Sequence, residues 1–127
     1  MPYKIMMTVA AIIPLVFGLA FLVVPQFFIL GTYPNAEGFA LEVGITQRYV
    51  MAGMLFIVLC LLFQSRNIEK VDDQKAILLG VSIGFAVMCA VIVVLEGPVR
   101  GLPLLVPPTI ATAAIAILSF WSRTKLN

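Results

Sequence analysis

Histidine is absent from this 127-residue chain, and charged residues make up only 11% of it. Without histidine there is no usual haem ligand, no commonest zinc ligand and no side chain whose ordinary pKa suits proton transfer near neutrality. The charge deficit excludes more. A soluble domain of this size has about 25% charged residues, so an ordinary globular protein, a disordered tail and a nucleic-acid binder are all disfavoured. Eight basic against six acidic side chains leave a net charge of +2, too small to create the field that a phosphate backbone requires. Cysteine is scarce as well: Cys60 and Cys89 stand apart within apolar runs, with no Cys-x-x-Cys spacing, and read as small buried hydrophobes rather than a redox pair.

What the sequence has in quantity is apolar surface, 62% of residues, far more than one water-soluble core can hide. It divides into four runs. The first, Ile5 to Val24, follows Lys4 directly and is interrupted only by Pro14 and Gly18. Its length suffices for ~30 Å of hydrocarbon at 1.5 Å per residue. A cleaved signal peptide is the competing reading, with Lys4 as its basic region and Gly18-Leu19-Ala20 as a small-x-small site. Phe21, Leu22, Val23 and Val24 extend the run past such a core, so a retained helix kinked near Pro14 is expected.

The second run, Tyr49 to Phe63, is too short to cross alone, so its helix is expected to reach back to Glu42 and carry Arg48 toward the membrane. The third, Ala76 to Leu95, contains no Asp, Glu, Lys or Arg. The fourth, Leu102 to Trp121, is crowded at its start by Pro103, Pro107 and Pro108, which places the regular helix from about Pro107 onward. The expected fold is therefore all-α, a single transmembrane domain over residues 1–127 with spans near 5–24, 42–63, 76–95 and 102–121 forming a four-helix bundle.

Four spans put both termini on one side. Lys4, Arg66, Lys70, Lys75, Arg123 and Lys125 fall on that side and only Arg48 and Arg100 toward the other, so six against two predicts cytoplasmic termini and a multi-pass protein of a cell inner membrane. Tyr3 and Trp121 are expected at the cytoplasmic interface and Tyr33 at the outer one. The mixed charges between Arg66 and Lys75 read as a solvated turn.

Apolar helices in lipid associate through close contact at small residues. Ala76, Gly80 and Gly84 form such a stripe on the third span, and Thr109, Thr112, Ala116 and Ser119 on the fourth. Ser82, Cys89 and Glu96 mark the opposite face of the third span, so one face is expected to meet the chain's own bundle and the other a neighbouring chain.

The principal site candidates are Glu42, Arg48, Glu96 and Arg100, all predicted toward the outer half of the bundle. A charge at the centre of a span costs ~2.5–3.5 kcal/mol on insertion scales, so these groups should pair or line a wet cavity. Arg48, flanked at four-residue spacing by Gly44 and Ala52, is expected to point between helices, with Glu96 as its partner and Glu42 less well aimed. Gln47, Thr46 and Tyr49 can add hydrogen bonds. The set reads either as a structural ion-pair cluster or as a site for the acidic or carbonyl end of an amphiphile. Neither a nucleophile–base pair nor a metal cluster is visible, and no cofactor is identified, so an enzyme is not the expected reading.

Among small four-helix membrane families, the small multidrug transporters need a carboxylate in the first span, which Ile5 to Val24 lacks. Membrane glutathione-transferase-like proteins carry an Arg- and Asn/Glu-rich second span, unlike Tyr49 to Phe63. With Gly18 and Pro25 late in the first span, then Arg48 before Ala52-Gly53 in the second, the layout resembles that of the DoxX-like small bacterial membrane proteins. That resemblance implies a bacterial inner-membrane protein working beside a quinone-linked or other membrane complex. It transfers no catalytic residue. The expected function is thus a non-enzymatic accessory or structural subunit of a larger membrane assembly. The alternative is a binding module for a lipid, quinone or other small amphiphile; a transporter ranks behind both. Expected partners are membrane lipids and other membrane subunits or further copies of the chain, with no nucleic acid.

Overall fold

The computed structural model describes residues 2–95, 101 and 106–127. Among these the chain is all-helical: α1 (Tyr3–Val23), α2 (Pro25–Thr32), α3 (Gly38–Ser65), α4 (Val71–Leu95) and α5 (Val106–Thr124). Proline and glycine set most of the breaks. Val24, ahead of Pro25, leaves the helical region at φ −131°, ψ 56°, and Pro25, with no N–H to satisfy, opens α2. Tyr33, ahead of Pro34, ends α2 in the same way at φ −125°, ψ 79°. Gly38 then begins α3 with a positive φ of 58°, which a side chain would resist. Pro107 and Pro108 occupy the first turn of α5, where the missing N–H groups have no helical partner to lose. Asp72 and Asp73 lie in the first turn of α4 and Arg123 in the last turn of α5, each complementing the helix dipole.

Three helices, α1, α3 and α4, are long and apolar enough to cross a membrane. α5 has 19 residues, but its two prolines, its hydroxyl side chains and Arg123 keep it less apolar than the others. α1 runs through Pro14 as one helix. α2 is an element that the apolar runs alone do not reveal.

The long helices pack as two antiparallel pairs. Contacts at Tyr3 with Ser65, Thr8 with Arg66, Gly18 with Leu55 and Phe56, and Phe21 with Arg48 fix the register of α1 on α3. Ser82 Oγ donates to the Ala116 carbonyl at 2.8 Å, and seven residues on Cys89 Sγ reaches the Thr109 carbonyl seven residues back, at 3.8 Å. That symmetry defines α4 against α5. The pairs meet through a core of Tyr3, Met6, Met7, Ala10, Ala11, Leu62, Leu78, Val81 and Ile115, with Leu126 packed beside it. All of these come from the end of the molecule at which both chain termini lie.

Two placements differ from expectation. Tyr3 is 4% exposed, and its hydroxyl donates to the Ser65 carbonyl at 2.7 Å, so it is a core residue rather than an interface anchor. Its position in the first turn of α1, facing the end of α3, turns the ring inward. Cys60 is exposed, on the side of α3 that also presents Ile57 and Leu61, whereas Cys89 is partly covered by α5.

Candidate functional site

Arg48 lies ten residues into α3, on the face that packs against α1 and α2. One turn before it, Gly44 allows Ile29 of α2 to approach so closely that an added Cβ would stand 3.0 Å from its Cδ1; one turn after it, Ala52 is fully buried. Arg48 is half-buried between these two contacts and points at α1. Its guanidinium carbon is 5.3 Å from the centroid of the Phe21 ring, and Nη1 donates to Met51 Sδ at 3.1 Å. Nε is shielded and meets no acceptor.

Phe21 belongs to an aromatic group: it meets Phe28 edge to face at 4.8 Å, with Phe17 at 6.2 Å, and Phe27 in turn packs on Phe28 at 5.5 Å. The ring quadrupole attracts the cation, and a thioether is a weak acceptor. Neither cancels a unit charge. Among the described residues Arg48 makes no ion pair.

The other predicted site residues are distributed as follows. Glu42, Gln47 and Tyr49 are exposed on α3, and Glu42 shares only its backbone carbonyl, with Thr46 Oγ1 at 3.0 Å. Tyr49 lines a depression of about 550 Å³ together with Val23, Val24, Pro25, Gln26, Phe27 and Ile45, beside the aromatic group and at the end of the molecule away from the termini. Glu96 and Arg100 lie outside the described residues, as does the proposed Arg48–Glu96 pairing. Phe21 and Met51, which do hold Arg48, were not among the sequence candidates: both read as ordinary apolar residues, and only the antiparallel register of α1 on α3 brings Phe21 across.

The small-residue stripes have different environments. Thr112 and Ala116 are buried between α5 and α4, with Thr112 Oγ1 donating back to the Pro108 carbonyl at 2.7 Å. Ala76, Gly80 and Gly84 are exposed instead, and a Cβ at Gly80 or Gly84 would meet nothing within 4 Å. The reason lies in the face chosen by α4: it turns Leu78, Val81 and Ser82 inward, leaving the glycines on another side. No group of three or more potential metal ligands occurs among the described residues.

Comparison with known proteins adds no relative: no family model, curated protein or solved structure matches this chain.

Proposed function

We propose that this is a non-enzymatic accessory or structural subunit of a larger assembly in a cell inner membrane, crossing four times with α5 as the fourth span and both termini cytoplasmic. One observation carries the reading. The Ala76, Gly80 and Gly84 face of α4 has the small side chains that allow helix backbones to approach closely in lipid, yet none of the described helices covers it. The resemblance of the sequence layout to that of DoxX-like proteins favours the same role. Solubilisation in mild detergent should recover the protein with other membrane chains or with further copies of itself, and Gly80→Leu should abolish that recovery while leaving helix content unchanged. Wild-type protein emerging as single chains, in membranes as in detergent, would refute the subunit role.

Arg48 favours a second reading, a binding module for a lipid, quinone or other small amphiphile at the end of the bundle away from the termini. Its charge, held among Phe21 and Met51 with no ion pair to it among the described residues, suits the acidic or carbonyl end of such a molecule. Native mass spectrometry should then show a retained small molecule that Arg48→Ala removes; a bare protein would defeat this version.

A further inference from the structure

The end of the molecule shared by the termini holds a second arginine in an unusual setting. Arg66, which follows α3, folds back over the Phe63 ring, its guanidinium carbon 4.1 Å from the centroid. Its Nη1 reaches across to α1 and donates to Thr8 Oγ1 at 3.3 Å. Thr8 Oγ1 in turn donates to the Lys4 carbonyl at 2.8 Å. Two hydrogen bonds therefore tie the Arg66 guanidinium, through the Thr8 hydroxyl, to the backbone of the turn of α1 that carries Lys4.

The acceptors present do not match that charge. A guanidinium has five N–H donors. Thr8 takes one, and Nε is shielded with no acceptor, which leaves three for a group outside the chain. The neighbouring carboxylates do not supply it: Glu69, Asp72 and Asp73 follow within a few residues, yet among the described residues none forms an ion pair with Arg66. The first turn of α1 contains no acidic residue either. Lys4 is exposed.

The surroundings are apolar on one side and wet on the other. Lys4, Thr8 and Ile12 recur at four-residue spacing along one face of α1, and Ile12 is 47% exposed. Phe63, beneath the guanidinium, is also 47% exposed. With α1 and α3 spanning the bilayer, Lys4 and Arg66 stand at its boundary, while Ile12 and Phe63 continue from them into the hydrocarbon.

The geometry points to a phospholipid site in the groove between α1 and α3, with Arg66 and Lys4 holding the phosphate of an anionic headgroup and Ile12 and Phe63 covering the upper part of an acyl chain. Phosphate oxygens suit the planar guanidinium fork, which Thr8 and Phe63 hold in place in advance. Lys4 adds a mobile second charge. This site is separate from Arg48 and lies at the opposite boundary.

The test compares lipid retention by the full chain in nanodiscs containing equal amounts of phosphatidylglycerol and phosphatidylcholine. Native mass spectrometry should show phosphatidylglycerol kept in preference, and Arg66→Gln should lower its retention about tenfold, the scale of one lost charged hydrogen-bond pair. Lys4→Gln, at an exposed side chain and therefore safe for folding, should lower it less, and Lys125→Gln, which removes an equal charge at the same end, should leave it unchanged. Equal losses in all three variants, or equal retention of the two lipids by the wild type, would overturn the proposal. Excess inorganic phosphate should not displace the lipid. If it does, and binds without lipid, the groove is a free-phosphate site and the lipid assignment fails.

Discussion

Gly44 shows how finely the α2–α3 contact is set. A methyl group there would approach Ile29 at Cδ1, Cγ1 and Cγ2, at 3.0, 3.3 and 3.3 Å, so rotation about Cβ–Cγ1, which moves Cδ1 alone, does not relieve the contact. Ile29 is 4% exposed and has nowhere to withdraw. Gly44→Ala should therefore destabilise the protein by about 1 kcal/mol, at the low end of overpacking costs, and Ile29→Val should recover part of that loss. Gly80→Ala provides the contrast: its added methyl meets no atom of the chain, and the helix gains from the better helix former, so the isolated protein should be as stable or slightly more so. Unfolding in graded denaturing detergent measures both. Equal losses at the two glycines would mean that the α2 contact is not as close as it stands here. Arg48 belongs to the same scale. Its position was legible because a cation flanked by Gly44 and Ala52 at helical spacing stands out beside a long apolar run. Its neighbours were not legible, because Phe21 is one phenylalanine among nine and nothing local distinguishes it.

Among the elements, α4 and α5 form the most regular contact, and Ser82 lies at its centre. Ser82 is 9% exposed and its hydroxyl donates to the Ala116 carbonyl across the helix interface, so Ser82→Ala should cost about 0.6 kcal/mol, the average for an interhelical hydrogen bond in a membrane. Ser82→Leu should cost several times more, because Ala116 has no space to yield. Comparing the two variants by thermal unfolding in one detergent tests whether close approach or the hydrogen bond dominates; equal losses would contradict this register. The long helices were legible because uninterrupted apolar runs and proline pairs are local signals. Val106, next to Pro107, does begin α5. α2 was hidden because its eight residues continue the hydrophobicity of α1, and only the prolines at 25 and 34 separate it. The stripe on α5 faces α4, whereas the equally small Ala76, Gly80 and Gly84 face away. Spacing alone gives a face but not the neighbour it meets, since that depends on how each pair is rotated against the other.

For the whole molecule, the decisive feature is that the core joining the two helix pairs lies at one end, the end where Tyr3 is buried, Leu126 packs against the core and six of the eight basic residues cluster. The chain ends share one end of the core, and in the proposed four-span topology the charge difference would keep that end in the cytoplasm, because Lys and Arg beside spans favour that side. With Cys60→Ala and Cys89→Ala as background, a single cysteine at Asn127 should be protected from a membrane-impermeant maleimide in intact cells and react after permeabilisation. One at Asn35, between α2 and α3, should react in intact cells. The background is mild, since Cys60 faces outward and Cys89 makes only a long sulfur contact of 3.8 Å. Labelling of both positions from the same side would mean that one of α3, α4 and α5 does not cross, and the reversed pattern would mean that the six basic residues do not govern insertion. Replacing Lys4, Lys70, Lys75 and Lys125 with Gln removes four of those six charges while leaving Arg66 on Phe63 and Thr8, and should produce a mixed population labelled at both sites. A topology indifferent to that change would point to the helix order itself, rather than the charge difference between the ends, as what fixes the orientation.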